Sequence, residues 1–253
     1  TLLTGLHERA HGLGPAGRLP MAMLERSLPR LLREAGYTTG WVGKNGVGLD
    51  RERQRLLFDW FLQVDRTPYV AVREGQRIHE TDYTAGKAVE FLAARGADEP
   101  FLLVVSFNAP HAEDADPVQF IPPERHADLY LGVDHPDPPL ADPAFFLAQP
   151  ELLRTSLNRT RWHWRWTPEL ADTMMSRYLA MVRGVDDAVA RILAELERSG
   201  RAGDTVVVLT SDNGYLVGER GLAGKWLAYE PSIRVPLIVR DPPWVRCNNN
   251  MQV

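Results

Sequence analysis

The sequence is poor in cysteine, in long apolar runs and in excess charge of one sign. Its 253 residues include a single cysteine, Cys247, so an intrachain disulfide and a cysteine-rich metal site are both excluded. No apolar run approaches the length that spans a membrane. The formal charge is −4, with acidic and basic residues interspersed. This pattern predicts neither a nucleic-acid partner nor binding to an anionic membrane surface.

The composition is typical of a globular protein, with 44% hydrophobic and 25% charged residues. A chain of this length predicts one sizeable core or at most two domains. Both ends look cut: residues 1–5 show neither an initiator methionine nor a signal-peptide pattern, and residues 247–253 form a polar tract. We therefore expect a fragment or the product of a truncated gene, with one domain over residues 1–246 and an unstructured tail over 247–253.

The most informative stretch runs from residue 205 to residue 226. It opens with the β-branched run 206–210, which predicts a strand buried on both faces. The run stops at Asp212 and Asn213, and polar groups at the carboxyl end of a buried strand are where open α/β sheets bind ligands. These two residues offer adjacent hard oxygen donors, which suit Ca²⁺ or Mg²⁺. A glycine-rich loop then brings Lys225 back toward the same place, which favours a site over a plain turn.

Two further apolar segments are predicted to be strands that end in polar groups. Residues 37–42 lead through a glycine to Lys44, and residues 101–107 are followed by His111. An isolated lysine is more often solvated, and a lone histidine is more often structural. If the three strands are parallel neighbours, however, their carboxyl ends meet at one sheet edge. Two lysines, a histidine and a cation would then form a site for a tetrahedral sulfate or phosphate ester, with His111 suited to proton transfer near neutral pH.

Apolar residues at helical spacing predict three helices, over residues 27–35, 81–94 and 167–200. The third helix leads into the strand at 206–210, as α/β order requires. Its paired carboxylates, Asp186 and Asp187, invite a catalytic role. Ion pairs on the helix surface with Arg183 and Arg191 are the plainer interpretation.

The segment 161–166 alternates cationic and indole side chains, which can stack on sugars or bases or lie at a membrane interface. It is short, so we favour tryptophans packed under the long loop 113–150 with their arginines reaching outward. That loop is too long for a plain connection and is expected to be functional. Its acidic residues Asp114, Asp116 and Asp134 match no ligand spacing, which favours a solvated face.

The pattern SDNG-x(3)-GE-x-G-x(3)-K at residues 211–225 carries a family resemblance. Together with the apolar strand entered through Pro236, it resembles the C-terminal part of the type I sulfatase signature, in the alkaline-phosphatase-like superfamily. The resemblance implies a three-layer α/β/α fold with a mostly parallel central sheet.

The resemblance also implies roles for individual residues. The catalytic set would be Lys44, His111 and Lys225, and the metal ligands would be Asp212 and Asn213, holding Ca²⁺ (or Mg²⁺). In sulfatases the nucleophile is a formylglycine made from the first residue of Cys-x-Pro-x-Arg, or of the same pattern with serine first. Four further residues separate that pattern from a Thr-Gly pair. Here only the Thr-Gly pair, residues 4–5, is present, so the formylglycine is expected upstream of residue 1.

Two positions depart from the family pattern. Sulfatases carry Gly-Lys-x-His after the first strand, whereas this chain has Gly46 in place of the histidine. Arg220 stands where many relatives also carry histidine. These departures keep open an alternative, a non-catalytic relic that binds anions or glycans.

The function implied by the resemblance is hydrolysis of the sulfate monoester of a small molecule or a glycan, by metal-assisted attack of the formylglycine. A phosphoester or phosphonate hydrolase of the same superfamily is the near alternative, because sulfate rather than phosphate rests on the resemblance alone. Family resemblance would allow a periplasmic or secreted protein. The sequence itself, including the glycosylation sequon at residues 158–160, identifies no compartment, ester or oligomeric state.

Overall fold

A computed structural model describes the chain over residues 2–12, 17–46, 48–114, 116–162 and 167–242. The helices in these ranges are α1 (Glu8–His11), α2 (Met21–Leu24), α3 (Leu28–Glu34), α4 (Arg51–Leu57), α5 (Glu80–Ala93), α6 (Pro143–Leu147), α7 (Glu151–Arg154), α8 (Leu157–Thr160), α9 (Pro168–Arg198) and α10 (Glu230–Ile233). The strands are β1 (Thr38–Gly43), β2 (Trp60–Gln63), β3 (Val70–Arg73), β4 (Gln76–His79), β5 (Phe101–Ser106), β6 (Val207–Thr210), β7 (Leu216–Val217), β8 (Ala223–Gly224) and β9 (Leu237–Arg240). The tail at 247–253, predicted to be unstructured, lies outside the described residues.

The chain divides into two compact units. The first comprises Thr1–Ala127 and Met181–Arg201, and the second comprises Asp128–Ala180 and Ala202–Val253. Across the described ranges, each helix is either too short or too polar to span a bilayer.

The first unit is built on a three-stranded parallel sheet in the order β2-β1-β5. The predicted strands 37–42 and 101–107 are present as β1 and β5, each within one residue of its expected bounds, and they pair over their whole length. Parallel neighbours require crossover connections. Helix α4 provides the crossover from β1 to β2, and α5 leads into β5. The predicted α/β class is confirmed.

Successive residues of β1 point to opposite faces of this sheet. Trp41 packs with Leu57 and Phe58, whereas Val42 packs with Ala88 of α5. Burying one such side chain contributes about 1.5–3 kcal/mol. The predicted inward face of α5 is buried at Ala85, Ala88 and Leu92. Because apolar side chains cover both faces, the carboxyl ends of β1 and β5 are held in fixed positions.

The acidic pair on α9 serves the structure of the first unit. Asp187 accepts hydrogen bonds from His126 at 2.6 Å and from Arg183 at 2.9 Å. The hydrogen bond from His126, followed by those from the guanidinium groups, lowers the pKa of Asp187 to about 2. The predicted ion pair with Arg183 is therefore confirmed. The one expected with Arg191 is wrong, since that side chain lies 3.5 Å from Asp82 of α5.

The second unit contains two small antiparallel sheets, β6-β9 and β7-β8. The predicted strand 206–210 is present as β6. The expectation that it is buried on both faces is wrong, because Val206 and Val208 are 49% and 56% exposed. In the described part of this unit β6 pairs with β9 alone, and two strands cannot cover their own faces. The β-branched run predicts the strand correctly, but it does not predict which elements pack against the faces of that strand.

Short helices hold the glycine-rich loop that follows β6. A Cβ added at Gly221 would lie 2.7 Å from the side chain of Phe146 in α6. Arg159 of α8 donates to the Gly221 carbonyl at 3.0 Å. Helix α6 lies inside the long loop 113–150, so part of that loop has regular structure and supports the loop that carries Lys225.

Candidate functional site

Two predicted site residues follow adjacent strands of the first unit. Lys44 comes directly after β1, and its backbone N–H donates to the carbonyl of Ser106, the last residue of β5, at 2.8 Å. His111 follows the same end of β5. The parallel sheet therefore places both residues beyond its carboxyl-terminal edge, as the sequence predicted for these two strands.

A cavity adjoins Asn45, the residue that follows Lys44. This cavity of about 330 Å³ is lined by Arg18, Asn45, Gly46 and Gln63, among others. Gly46 is exposed, and a Cβ added there would meet nothing within 4 Å. The position where sulfatases carry histidine thus has room for a side chain, and its glycine is not required by packing.

His111 is in close contact with a cation that the sequence did not reveal. Arg66 Nη1 lies 2.5 Å from Nδ1 of the ring and 3.1 Å from Nε2. Nδ1 is also 2.8 Å from the Ala112 carbonyl oxygen, which accepts only from an N–H. With the proton on Nδ1, that nitrogen donates to Ala112 and cannot accept from Arg66, so only the 3.1 Å contact with Nε2 can be a hydrogen bond from the guanidinium. To act as an acid at Nε2, His111 must gain a proton there and Arg66 must move aside.

Asp114 completes this cluster by accepting from Arg66 Nη2 at 3.1 Å. The predicted solvated face is wrong for Asp114, which is partly buried in an ion pair. Asp116 accepts from the backbone of its own turn, at Val118. Over the described ranges, no three or more acidic, histidine or cysteine side chains form a group that could hold a metal ion. Nothing in the sequence pattern marked Arg66, which lies in an irregular loop.

The backbone around His111 is held by buried polar groups. The fully buried Tyr69 donates its hydroxyl to the His111 carbonyl at 2.7 Å, and burial raises its phenol pKa. Asn108 Nδ2 donates to the Val64 carbonyl and to Glu80 Oε1, both at 3.1 Å. The sequence predicted none of these contacts, because they join residues far apart in the chain.

Glu80 is a fully buried carboxyl group at the start of α5. Burial raises its pKa above the ordinary value of 4.5, against the hydrogen bonds from Asn108 and Thr84. The ionised form is therefore disfavoured by folding. The wild type loses stability as the pH rises through the raised pKa, and it regains that stability as the pH falls toward 4.5.

We expect Glu80→Gln to change this pH dependence, because glutamine keeps an acceptor for Asn108 and carries no charge. Relative to the wild type, the variant should be most stable near neutral pH. As the pH falls to 4.5 and below, the wild type gains stability and the variant does not, so the advantage of the variant in free energy of unfolding should shrink. Urea unfolding at a series of pH values measures it. A difference that stays constant with pH would contradict burial of an ionisable Glu80.

The second unit brings together three predicted residues. Lys225 Nζ donates to Asn213 Oδ1 at 3.1 Å, across 12 residues of loop. Asn213 Nδ2 donates to the Gly214 carbonyl at 2.7 Å, which fixes the orientation of the amide. Gly214 itself is closely packed, since a Cβ there would lie 2.2 Å from the Pro231 carbonyl oxygen. Asp212 is exposed beside this pair.

Asp212 and Asn213 fit a hard divalent cation by their chemistry. A carboxylate and an amide oxygen are ligands that Ca²⁺ and Mg²⁺ prefer. The Asn213 oxygen has two lone pairs, so it can accept from Lys225 and still face a cation. Two side chains are too few to complete a six-coordinate shell. If a cation binds here, the pair would supply only part of its shell, and the other ligands would come from water, substrate or other residues.

Arg220 occupies the second position that departs from the family. Its backbone has φ +57°, and its N–H donates to the Leu140 carbonyl at 2.9 Å. The guanidinium lies 5.2 Å from the Tyr229 ring centroid. A permanent cation engaged with an aromatic ring thus replaces a titratable histidine.

Lys44 and His111 belong to the first unit, and Asp212, Asn213 and Lys225 belong to the second. Each group is assembled within its own unit. Convergence of the two groups on one substrate remains a prediction.

Comparison with solved structures identifies the fold class of the protein. One solved structure, described as a complex with its substrate D-glucosamine-2-N,6-O-disulfate, matches with a TM-score of 0.72 at 24% identity, covering 95% of this chain and 60% of that chain. A phosphonate monoester hydrolase of Agrobacterium radiobacter matches with a TM-score of 0.70 at 22% identity, covering 95% and 57%. The fold is that of the alkaline-phosphatase-like α/β proteins.

The family follows from the sequence. The sulfatase family model matches residues 1–246, so the chain belongs to the sulfatase family of hydrolases. The N-acetylglucosamine-6-O-sulfatase of Bacteroides thetaiotaomicron is 25% identical over 289 aligned positions, covering 89% of this chain. The chain spans half the length of that relative.

Proposed function

We propose that the protein carrying this chain is a sulfuric ester hydrolase that cleaves sulfate monoesters of small molecules or glycans. Residues 1–246, the range of the family match, would form one catalytic domain or the larger part of it. The observation that carries the proposal is the contact between Lys225 and Asn213 at 3.1 Å beside Asp212. It joins an ammonium group to an amide oxygen that directly follows a carboxylate in the chain, which is the charge pattern that a sulfate ester and its counter-cation require.

Lys225 would bind the non-bridging oxygens of the sulfate. Its hydrogen bond to Asn213 orients the ammonium before substrate arrives, and preorganised charge of this kind stabilises a transition state without a further cost of reorganisation. Lys44, fixed by the hydrogen bond of its backbone to β5, would supply a second cation. His111 would protonate the departing oxygen, with Arg66 moving from the ring toward Asp114.

Asp212 and Asn213 would hold Ca²⁺ or Mg²⁺ through their side-chain oxygens. When bound, such a cation would neutralise charge on the sulfate oxygens, and a formylglycine in the family's nucleophile segment would supply the attacking hydroxyl. The residues described above do the rest: they orient the ester, balance its charge and deliver a proton to the leaving group.

A phosphonate or phosphoester hydrolase is the second candidate. It is supported by the structural match to a phosphonate monoester hydrolase, whose TM-score of 0.70 is close to that of the sugar-sulfate complex. Sulfate and phosphate monoesters share a tetrahedral oxyanion centre, so lysines and a cation suit both.

We expect the full-length protein, produced with formylglycine maturation, to hydrolyse 4-nitrophenyl sulfate faster than 4-nitrophenyl phosphate or a phosphonate monoester. Lys225→Ala should lower kcat/KM for the sulfate by about 100-fold or more, because it removes a fixed charge from the oxyanion. Lys87→Ala is the matched control, since Lys87 lies outside the predicted site and its side chain, 14% exposed, forms ion pairs with Glu74 and Glu90.

Higher kcat/KM for the phosphate or phosphonate would replace the first proposal with the second candidate. Tight binding of the sulfate ester without turnover would favour the non-catalytic relic. Equal losses in the Lys225 and Lys87 variants would remove Lys225 from the site.

A further inference from the structure

An aromatic platform adjoins Lys225 in the sequence and contains one exposed ring. We define the platform as Trp226, Trp162 and Arg161. Trp226 is 56% exposed and Trp162 is 3% exposed, and their ring centroids lie 5.6 Å apart. The Arg161 guanidinium lies 5.4 Å from each of the two ring centroids. One indole is thus the base of the platform and the other is its accessible surface.

The backbone at Trp226 has an uncommon conformation. Its φ is +80°, a conformation that residues with a side chain rarely adopt. Gly224, two residues before Trp226, has φ +88°, and a Cβ there would lie 2.1 Å from the Trp162 ring. Backbone strain held in place by its surroundings is a feature of ligand sites. Here it falls on the residue that directly follows Lys225.

A buried asparagine fixes this segment from the other side. Asn158 is 3% exposed, and its Nδ2 donates to the Ala223 carbonyl at 2.9 Å and to the Lys225 carbonyl at 2.6 Å. We call this pair of hydrogen bonds the Asn158 clamp. The clamp holds the backbone on both sides of Gly224, so this segment is not free to shift away from Trp162.

The ligand that matches the platform carries both a ring and a negative charge. An exposed indole packs well against the apolar C–H face of a sugar ring, and the ammonium of the preceding residue, Lys225, attracts an anion. The N–H groups of Arg161 suit the hydroxyl oxygens of a sugar, whereas a plain aryl ring carries no such acceptor. We propose that Trp226 stacks on the pyranose ring of a sulfated sugar whose sulfate is bound by Lys225. This inference rests on the proposed function and narrows it to glycan sulfates.

Trp226→Gly tests the stacking, because glycine suits φ +80° and removes only the ring. With the full-length protein, we expect KM for a pyranose monosulfate to rise about tenfold, as for the loss of one stacked ring. KM for an open-chain alkyl sulfate of similar size should change less than about threefold. Trp226→Phe should keep most of the affinity for the sugar. Leu152→Ala, at a residue of the same unit that is 80% exposed, should change neither.

The outcomes separate the two proposals. If the wild type hydrolyses neither ester, the proposed function fails, and calorimetric titration of the pyranose monosulfate then tests the stacking on its own. If hydrolysis is present and Trp226→Gly raises KM for both esters equally, or for neither, the stacking is wrong. If an aryl sulfate loses affinity in this variant and the pyranose sulfate does not, the ring that stacks is aromatic and the assignment to sugars is overturned.

Discussion

Replacing Asp212 with alanine will weaken the binding of Ca²⁺ or Mg²⁺ to the full-length protein by about 100-fold or more. Loss of a group that only supports a metal ligand already costs 10- to 100-fold in affinity, and Asp212 would be a direct ligand with a full negative charge. The remaining oxygen donor, Asn213, is neutral and shares its Oδ1 with Lys225. Isothermal titration with each cation measures the effect without any need for activity.

The matched control is Asp172→Ala, which removes an exposed carboxylate from α9 in the same unit. It should leave the cation affinity within about twofold. Unchanged affinity in Asp212→Ala would exclude Asp212 as a ligand. Equal weakening in both variants would point to a general effect of surface charge.

Gly43→Ala will destabilise the first unit by roughly 3 kcal/mol or more, or prevent its folding. Gly43 has φ +109°, and its added Cβ would lie 2.0 Å from the carbonyl oxygen of Ser106. That oxygen belongs to the backbone and accepts from Lys44 N–H at 2.8 Å. Alanine can be accommodated only if β1 and β5 separate at the end that carries Lys44.

Gly46→Ala is the control, three residues further along the same segment. A Cβ at Gly46 meets nothing within 4 Å, so this substitution should change the free energy of unfolding by less than about 1 kcal/mol. Urea denaturation of both variants gives the comparison. A small effect at Gly43 would show that the strands part easily there, and the fixed position of Lys44 would then be wrong.

The strands and helices were predictable where one pattern determines them. The runs 37–42 and 101–107 became β1 and β5 because apolar, β-branched residues in short runs suit a covered parallel sheet. Helices α5 and α9 followed from apolar spacing and their caps. Burial of β6 was not predictable, because local sequence encodes the strand and not the layers packed against it.

The same distinction explains the site. Lys225 and Asn213 could be paired from the motif, since the loop between them is short and rich in glycine. Arg66 could not be found, because its contact with His111 joins residues 45 positions apart through an irregular loop. Glu80 and Tyr69 were hidden for the same reason. Their roles come from burial, which a single sequence reports poorly for polar residues.

The Asn158 clamp has a consequence for how the protein can be made. Asn158 is the acceptor residue of an Asn-Arg-Thr sequon, yet its amide is buried and both of its hydrogen bonds are directed inward. An oligosaccharide cannot be attached to that nitrogen in the folded chain. In a eukaryotic secretory host, glycosylation and folding would compete for the same side chain, and every modified molecule would lack the clamp. A host without N-linked glycosylation, or a Thr160→Ala change, avoids that competition.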